Sequence, residues 1–390
     1  MTEEQMATDL VKTVLAAGLR QKSTDIHLEP LRDEVVVRFR SQGALHEVGR
    51  HSAELGRAAR RAVKQMFQGD PEDEQQTQDG RILFEVDGQP VDVLASTFPT
   101  MLGERLVLRI RDSQNTDRLI RLGLDSLDLD SQQRQALQEM FFSPYGLVLV
   151  SGLVGSGRTN TMHAALASLA SRSQGKQNLI SLEAPVETLL PGVVQTPVRS
   201  PMNFSYALRA ALRQDPDALF TSKLLDPESA REALQAGLTG HLVSARMDAP
   251  DAAGALAALL ELIPEPVQQH HLAMVFRGVC SQRMAWRLCP DCKRKSIPSA
   301  ERQTLVRAHL GEVPDFFEPE GCARCRGVGL DGRTAIYQIV PREERLVELI
   351  LQRAGVEQLR ASIQPGLTVC AIRTAARGLI SLDEALRASA

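Results

Sequence analysis

The chain has 390 residues, 43% of them hydrophobic, and a formal net charge of −3 with a sequence pI of about 6.3. This length suits two or three domains with cores of their own. The slightly acidic balance argues against a dedicated nucleic-acid binder, and no apolar run approaches the roughly 20 residues that cross a bilayer. Residues 1–20 start acidic, unlike a signal peptide, so we expect an amphipathic helix of a cytoplasmic protein without a transmembrane segment.

The N-terminal part mixes this helix with short strands. Residues 35–40 and 91–96 alternate and are rich in β-branched side chains, which predicts strands. The sequences DGR at 79–81 and DGQP at 87–90 are typical of turns, and the polar stretch 69–80 of a loop. We therefore expect an α/β domain here.

The middle of the chain alternates apolar strands with helices. This pattern predicts a mostly parallel sheet with helices on both faces. The predicted elements are a helix near 131–141, a strand at 146–152, a helix at 159–170, strands at 178–182 and 217–220, and a helix at 226–238. The arginines at 277, 283 and 287 are predicted to share a further helical stretch. A helical tail ends the chain.

Five segments follow from these patterns. They are an N-terminal α/β domain at 1–115, a linker at 116–130, a second α/β domain at 131–280, a module at 281–335 that contains four of the six cysteines, and a helical C-terminal segment at 336–390.

A glycine-rich turn between the strand at 146–152 and the next helix predicts a phosphate site. Glycines allow backbone N–H groups to converge on phosphate oxygens, and the helix adds its positive N-terminal end. The candidate nucleotide-binding residues are Gly152, Gly155, Ser156, Gly157, Arg158, Thr159 and Asn160. The alternative is a plain glycine turn in an unrelated α/β fold.

One position of this loop departs from the G-x-x-x-x-G-K-[ST] pattern. Arg158 stands where lysine is expected, while Thr159 occupies the position that ligates Mg²⁺. Arginine keeps the charge but is planar and wider than an ammonium group. We therefore expect nucleotide binding to survive and the fine positioning of a γ-phosphate to be lost.

Two C-x-x-C pairs predict a metal site. Thiolates in this spacing can hold Zn²⁺ tetrahedrally, and four protein ligands leave no open position for catalysis. The predicted ligands of a structural zinc ion are Cys289, Cys292, Cys322 and Cys325. The alternative is four thiols in a module that has lost its metal.

Several segments together resemble a known family, the ATPases of type II secretion and type IV pilus assembly. The resemblance covers nearly the whole chain. It rests on the paired C-x-x-C motifs and on STDIHLEP (23–30), QDGR (78–81), STFPT (96–100), GERLVLRI (103–110), LRAALRQDPDALF (208–220), LTGHLV (238–243) and GRTAIYQI (332–339).

The resemblance also exposes altered nucleotide-site signatures. The Walker A lysine is Arg158, and the acidic box I-E-D-P-V-E has lost a carboxylate at Ala184 while keeping Glu183 and Glu187. The Walker B glutamate position is Lys223.

A fourth signature, L-V-L-S-T-L-H-T-N, is altered as well. His241 just before it survives as a nucleotide-site candidate, but the later histidine position is Asp248. A protonated lysine cannot accept a proton from water, so Lys223 is expected to be inactive as a base. Glu183 and Glu187 are the other catalytic candidates.

These changes predict a degenerate member of the family, with weak or absent hydrolysis. ATP or ADP remains an expected ligand, with Lys223 partly replacing a disfavoured Mg²⁺ as counter-charge. Three functions stay open: a non-catalytic ring or regulatory subunit, an active motor that assembles pilins or pseudopilins, and a nucleotide-free scaffold.

The resemblance implies an α/β fold with a RecA-like P-loop domain, a PAS-like N-terminal α/β domain and a zinc-ribbon-like module. It also implies a homo- or hetero-hexamer with a paralogous ATPase, and contact with an inner-membrane platform protein. No nucleic-acid partner is expected. The implied location is cytoplasmic, peripheral to the inner membrane. Because the chain starts near the family's second N-terminal domain, we expect the additional docking domain of many members to be missing.

Overall fold

A computed structural model describes residues 3–21, 23–41, 44–86, 89–110, 113–199, 201–224 and 226–390. The chain divides into two compact units, Met1–Thr116 and Asp117–Ala390. Within the described residues, no helix is both long and apolar enough to cross a membrane.

The described part of the first unit is an antiparallel sheet with two helices. Its elements are α1 (Glu3–Arg20), β1 (Asp25–Pro30), β2 (Glu34–Ser41), β3 (Ala44–Ser52), α2 (Ala53–Met66), β4 (Gln78–Val86), β5 (Gln89–Thr100) and β6 (Gly103–Ile110). The strand order is β3-β2-β1-β6-β5-β4. A helix α3 (Ser113–Leu122) follows β6 in the chain.

Amphipathic helices build the core of this unit. Val11 and Leu15 of α1 and Val63 of α2 pack in one cluster with apolar side chains of the sheet, such as Ile26. Ser52 caps α2 by accepting a hydrogen bond from the Leu55 backbone N–H (3.3 Å). The alternation read at 35–40 and 91–96 therefore reflects a sheet with one apolar face, which packs against the two helices.

The turn predicted at 79–81 is wrong, because these residues belong to β4. Gly80 pairs with Ala95 of β5, and a Cβ at Gly80 would lie 2.1 Å from Cγ of Phe67. This glycine thus admits an aromatic ring rather than reversing the chain. Residues 87 and 88 of the second predicted turn lie outside the described residues, while 89 and 90 belong to β5.

The second unit contains a larger, mostly parallel sheet. Its elements are α4 (Ser131–Phe141), β7 (Gly146–Gly152), α5 (Arg158–Ser173), β8 (Leu179–Glu183), β9 (Val194–Pro197), α6 (Phe204–Ala211), β10 (Ala218–Thr221), α7 (Pro227–Leu238), β11 (Leu242–Asp248), α8 (Ala252–Leu262), α9 (Pro266–Val275), β12 (Phe276–Leu288), β13 (Arg294–Ser296), α10 (Ala300–Leu310), β14 (Phe316–Glu318), β15 (Leu330–Pro341), α11 (Glu344–Leu351), α12 (Val356–Ser362), α13 (Leu367–Ala376) and α14 (Leu382–Ser389).

The strand order of this sheet is β15-β12-β7-β11-β10-β8-β9. Only β15 among its described strands runs antiparallel to its neighbour. Leu147 and Leu149 of β7 pack in one apolar cluster, and Val148 and Val150 in another. The sheet is therefore covered on both faces, as its continuous apolar strands predict. The α/β fold class is confirmed.

The helix predicted around Arg277, Arg283 and Arg287 is wrong, because all three lie on β12. This strand pairs in parallel with β7 and in antiparallel with β15. Pairing on both edges decides the local structure here, and arginine spacing alone could not reveal those partners.

Candidate functional site

The phosphate loop links β7 to α5 at the carboxyl end of a central strand. Gly157 caps α5 with φ +84°, a left-handed conformation that favours glycine. A Cβ at Gly152 would lie 2.3 Å from Ser156 Oγ, so the chain passes too close for a side chain there. The Gln282 side chain donates to the Ser156 carbonyl (2.6 Å) and supports the loop from β12. The loop's backbone and the start of α5 suit a phosphate anion.

Arg158 does not extend freely toward a ligand. Its side chain is only 6% exposed. One Nη donates to the Met247 carbonyl (2.6 Å) and also forms an ion pair with the Asp248 carboxylate. Two substituted positions, the Walker A lysine and the later histidine of the fourth signature, therefore pair with each other.

Thr159, the expected Mg²⁺ ligand, also has an internal partner. Its hydroxyl Oγ1 accepts a hydrogen bond from Nη1 of Arg246 (3.0 Å). Burial lowers the pKa of Arg246, and the nearby charge of Arg158 lowers it further. A guanidinium in contact with this hydroxyl repels a divalent cation, so the residues present do not fit Mg²⁺.

The sequence analysis missed Arg246. It stands on β11 at the threonine position of the fourth signature, two residues before Asp248. The sequence did contain a signal for this residue, because an arginine replaces the small hydroxyl side chain of the signature at this position. Its importance became visible only when β11 was paired beside β7, with Asp248 opposite Gly152.

Glu183 is the most enclosed of the acidic candidates, with 3% exposure at the end of β8. One carboxylate oxygen hydrogen-bonds with Nε2 of His163 (2.9 Å), and the other accepts from Ser181 (2.7 Å) and Gln195 (2.8 Å). Burial acts to raise the pKa of Glu183, but these hydrogen bonds outweigh it and hold the pKa below its ordinary value. Both oxygens are engaged, which does not suit a general base.

Glu187 and Lys223 lie near the same end of the sheet. Glu187 is half-buried, and its charge acts to raise the pKa of Arg246. Lys223 is also half-buried and follows β10. The next residue, Leu224, donates its backbone N–H to the Arg246 carbonyl (3.1 Å). The segment holding the altered Walker B position thus lies beside the carboxyl end of β11.

The structure does not bring His241 to the phosphate loop. This residue precedes β11, whose first residue pairs with Gly146 and whose last pairs with Gly152. The strand separates them by about 20 Å at ~3.3 Å per residue. His241 Nδ1 is engaged locally with Thr239 Oγ1 (3.0 Å) and the Ala236 carbonyl (3.1 Å). Asn160 is exposed on the first turn of α5, next to the loop.

The four predicted metal ligands converge at the far end of β12. Their Sγ atoms all lie within 4.8 Å of one another. Neighbouring Sγ atoms are 3.9 Å apart for Cys289 and Cys322, and 3.7 Å apart for Cys292 and Cys325. Tetrahedral Zn–S bonds of about 2.3 Å would place them about 3.8 Å apart, so the arrangement fits Zn²⁺.

Backbone donors favour the thiolate form of Cys325, whereas desolvation raises the pKa of Cys292 to about 12. The N–H groups of Cys322 and Gly329 each donate to Cys325 Sγ (3.1 Å). Desolvation opposes ionisation, but these donors prevail and lower the pKa of Cys325 to about 6. In contrast, burial raises the pKa of Cys280 to about 12 and that of Cys370 to about 11. The last two thiols lie outside the cluster and behave as apolar core residues.

Comparison with solved structures supports this fold. The ATPase DotB of Yersinia pseudotuberculosis superposes with a TM-score of 0.70 at 16% identity, covering 97% of this chain and 92% of that one. The pilus retraction motor PilT, solved with bound ADP, has a TM-score of 0.64 at 19% identity, covering 97% and 96%. At these identities the likeness concerns the fold alone.

Sequence comparison goes further. The chain is 34% identical over 383 residues to type II secretion system protein E of Aeromonas hydrophila, covering 97% of this chain and 74% of that protein. It is also 34% identical over 388 residues to the type IV pilus assembly ATPase PilB of Myxococcus xanthus (strain DK1622), covering 96% and 66%. The family model described as type II/IV secretion system protein matches residues 1–387. The chain therefore belongs to the type II/IV secretion system protein family, as its motifs suggested.

Proposed function

We propose that this chain is a non-catalytic or weakly active nucleotide-binding subunit, with a ring-forming or regulatory role in a type II secretion or type IV pilus system. The observation that carries the proposal is the engagement of Arg158 by Met247 and Asp248. Arg158 stands at the position whose positive charge normally contacts the γ-phosphate, but here its charge is paired within the protein.

Hydrolysis at a phosphate loop needs a positioned phosphate, charge stabilisation and an oriented water. Each requirement is weakened here. Arg158 is paired, Thr159 faces Arg246, and Lys223 replaces the carboxylate expected to orient water. The effects on rate of residues that act as one catalytic unit are not additive, so replacing several of them lowers the rate little more than replacing one. Together they favour a site that binds without efficient turnover.

An active motor is the second candidate, with Glu183 or Glu187 as the base. The three hydrogen bonds that engage both oxygens of Glu183 disfavour this residue as the base. A nucleotide-free scaffold is the third candidate, and the internal pairing of Arg158 and Thr159 favours it. The retained glycine loop and the helix N-terminus that follows it favour nucleotide binding over the scaffold.

The proposal extends to assembly and location. We propose a homo- or hetero-hexamer with a paralogous ATPase that carries the normal lysine and glutamate. We also propose that this assembly contacts an inner-membrane platform protein and lies on the cytoplasmic side of that membrane. The naming of relatives as type II secretion protein E and PilB supports this setting. We also propose that Zn²⁺ holds the tetracysteine module, and that the chain divides near residues 115, 130, 280 and 335.

The decisive experiment is steady-state Mg-ATP hydrolysis by purified, zinc-loaded protein. The comparison protein is the variant R158K/K223E/R246T/D248H, which restores the family's residues at four of the altered positions and leaves Ala184 unchanged. We expect no turnover above the blank for the wild type and measurable turnover for the variant. K176E, a charge change at an exposed site, is the matched control and should stay inactive. Wild-type turnover above about 1 s⁻¹ would reject the proposal in favour of an active motor.

A further inference from the structure

We infer that Arg246 takes the place of the divalent cation in this phosphate site. The loop then binds the phosphates of a nucleoside di- or triphosphate as the metal-free anion. This inference rests on the proposed nucleotide binding and names the form of ligand that the site accepts.

The contact between Arg246 and Thr159 carries the inference. Nη1 of Arg246 lies 3.0 Å from Thr159 Oγ1. In a phosphate loop this hydroxyl is a metal ligand, and the metal in turn bridges two phosphate groups. The Arg246 guanidinium, in contact with this hydroxyl, places a positive charge on the side of the phosphates where the metal would otherwise lie. Its planar fork of N–H donors suits phosphate oxygens, and it needs no water shell to do so.

The charges around Arg246 agree with an anionic ligand. Arg158 is near enough to lower the pKa of Arg246, after the larger effect of burial. The charges of Asp248, Glu187 and Glu183 act to raise that pKa. Of these carboxylates, Asp248 is already paired with Arg158, and both oxygens of Glu183 are engaged in hydrogen bonds with other side chains. Two guanidinium groups thus share one partly buried site at the start of a helix. A phosphate group offers enough acceptors to meet both cations and the loop's backbone N–H groups.

The same geometry disfavours Mg²⁺ bound with the nucleotide. A divalent ion would have to displace Arg246 from Thr159 or lie beside its positive charge. Mg²⁺ also prefers oxygen ligands in octahedral order. Both oxygens of the Glu183 carboxylate are engaged in hydrogen bonds, and the Walker B position carries Lys223. Nucleotide with bound Mg²⁺ should therefore bind less well than free nucleotide.

The test is calorimetric titration of the full chain with ADP, in EDTA and in saturating Mg²⁺. For the wild type we expect equal or tighter binding in EDTA. Arg246→Thr should weaken binding in EDTA by about tenfold or more, and added Mg²⁺ should recover part of it. Arg231→Thr is the matched control, because Arg231 is exposed on α7 and its Nε donates locally to the Pro227 carbonyl (3.2 Å). It should titrate like the wild type.

A second variant keeps the test valid if Arg246→Thr does not fold. Thr159→Val has the same shape without the hydroxyl. Losing the hydroxyl removes the acceptor that holds Arg246, so we expect affinity in EDTA to fall by about threefold or more. In a metal-dependent loop the loss would instead appear only in Mg²⁺. Inorganic pyrophosphate should bind more weakly than ADP. Equal affinity would overturn the assignment to a nucleotide.

Three results would overturn the inference. They are wild-type binding at least about tenfold tighter with Mg²⁺, unchanged binding by Arg246→Thr in EDTA, and no ADP binding in either condition. The first two outcomes are separate from failure of the proposed function, which is signalled by wild-type turnover. The third would also remove the proposed nucleotide binding and favour the nucleotide-free scaffold. A chain without turnover that needs Mg²⁺ to bind ADP would keep the proposed lack of catalysis and refute the role of Arg246.

Discussion

The phosphate loop and the tetracysteine cluster lie on the same unit but differ in how far their functional side chains match the family's pattern. At the loop, the backbone turn is present while its charged side chains bind one another: Arg158 with Asp248, and Arg246 with Thr159. At the cluster, all four thiols stand at distances suited to one tetrahedral ion. The phosphate loop keeps its backbone turn but has different charged side chains, whereas the tetracysteine cluster keeps both its position and its four thiol ligands.

Physical constraints explain this difference. A structural metal contributes directly to folding, so losing one thiol affects the whole module. A catalytic side chain contributes to rate, and its replacement is tolerated wherever the new side chain finds a partner. Arg158 is buried, yet its charge is balanced by Asp248 and the Met247 carbonyl. The glycines cannot change so freely, because a Cβ at Gly152 would clash with Ser156.

The largest effect should follow from breaking the metal cluster. Purified wild-type protein should contain one zinc ion per chain by elemental analysis, and Cys325→Ser should contain far less. Structural zinc supplies on the order of 10 kcal/mol in small modules, so we expect the segment 289–329 to become sensitive to protease. Cys370→Ala, a change at a buried thiol outside the cluster, should retain the metal. Full zinc content in Cys325→Ser would contradict the assignment.

The buried carboxylate beside the loop should give the next effect. Glu183→Gln should lower the free energy of unfolding by about 2–3 kcal/mol at neutral pH, because charge-assisted hydrogen bonds are weakened. The pKa of Glu183 is lowered in the folded protein. Its contribution is therefore present above the unfolded value of about 4.3 and is lost as pH falls through the folded value.

Urea unfolding of both proteins between pH 7 and pH 3 measures this effect. Other carboxyl groups titrate in both, so the difference between the two proteins isolates Glu183. The difference should shrink below about pH 4. A constant difference across this range would mean that the carboxylate charge contributes nothing.

The ion pair at the loop should give a smaller effect on stability. Asp248→Asn removes the counter-charge of Arg158. Breaking a fully buried pair costs about 3–5 kcal/mol, but the Asp248 side chain is 60% exposed, so screening reduces the expected loss to about 1–2 kcal/mol. ADP affinity should rise, because phosphate no longer competes with a carboxylate for Arg158. Reduced affinity in a titration would show that Asp248 helps to hold the loop for its ligand.

The smallest effect belongs to the surface of the metal module. Arg324 pairs with Asp291 (3.0 Å) and Asp331 (3.3 Å), but its side chain is 51% exposed. Arg324→Ala should leave the midpoint of chemical unfolding nearly unchanged, with zinc content unchanged, because exposed ion pairs contribute little to stability. Loss of zinc in this variant would extend the metal site's requirements beyond the thiols and weaken the contrast drawn above.

Local patterns predicted the frame of the candidate site well. A buried strand, a glycine turn and a helix are adjacent in the chain, so β7, the loop and α5 could be read directly. The strand predicted at 178–182 and the helix at 226–238 correspond within a residue to β8 and α7. The cysteine pairs, too, declare their chemistry through spacing alone.

The partners of the charged side chains could not be read in the same way. Arg158 meets Asp248 from 90 positions away, and Thr159 meets Arg246 from 87. These contacts depend on the parallel pairing of β7 with β11. The helix wrongly expected around Arg283 failed for the same reason, because β12 is defined by neighbours distant in sequence. Only a three-dimensional arrangement could reveal that the altered positions compensate one another.

The strand β12 gives the two sites a common mechanical element. Near its middle, Gln282 holds the Ser156 carbonyl of the loop. At its end, Leu288 is followed directly by Cys289, whose N–H donates to the Gly329 carbonyl (2.9 Å). A paired strand is stiff along its length, so a tether at one end limits sliding at the other. Zinc bound at the cluster would therefore anchor the end of β12 and restrain Gln282, which supports the phosphate loop. The expected sign is slower amide hydrogen exchange along β12 in zinc-loaded protein than in metal-free protein.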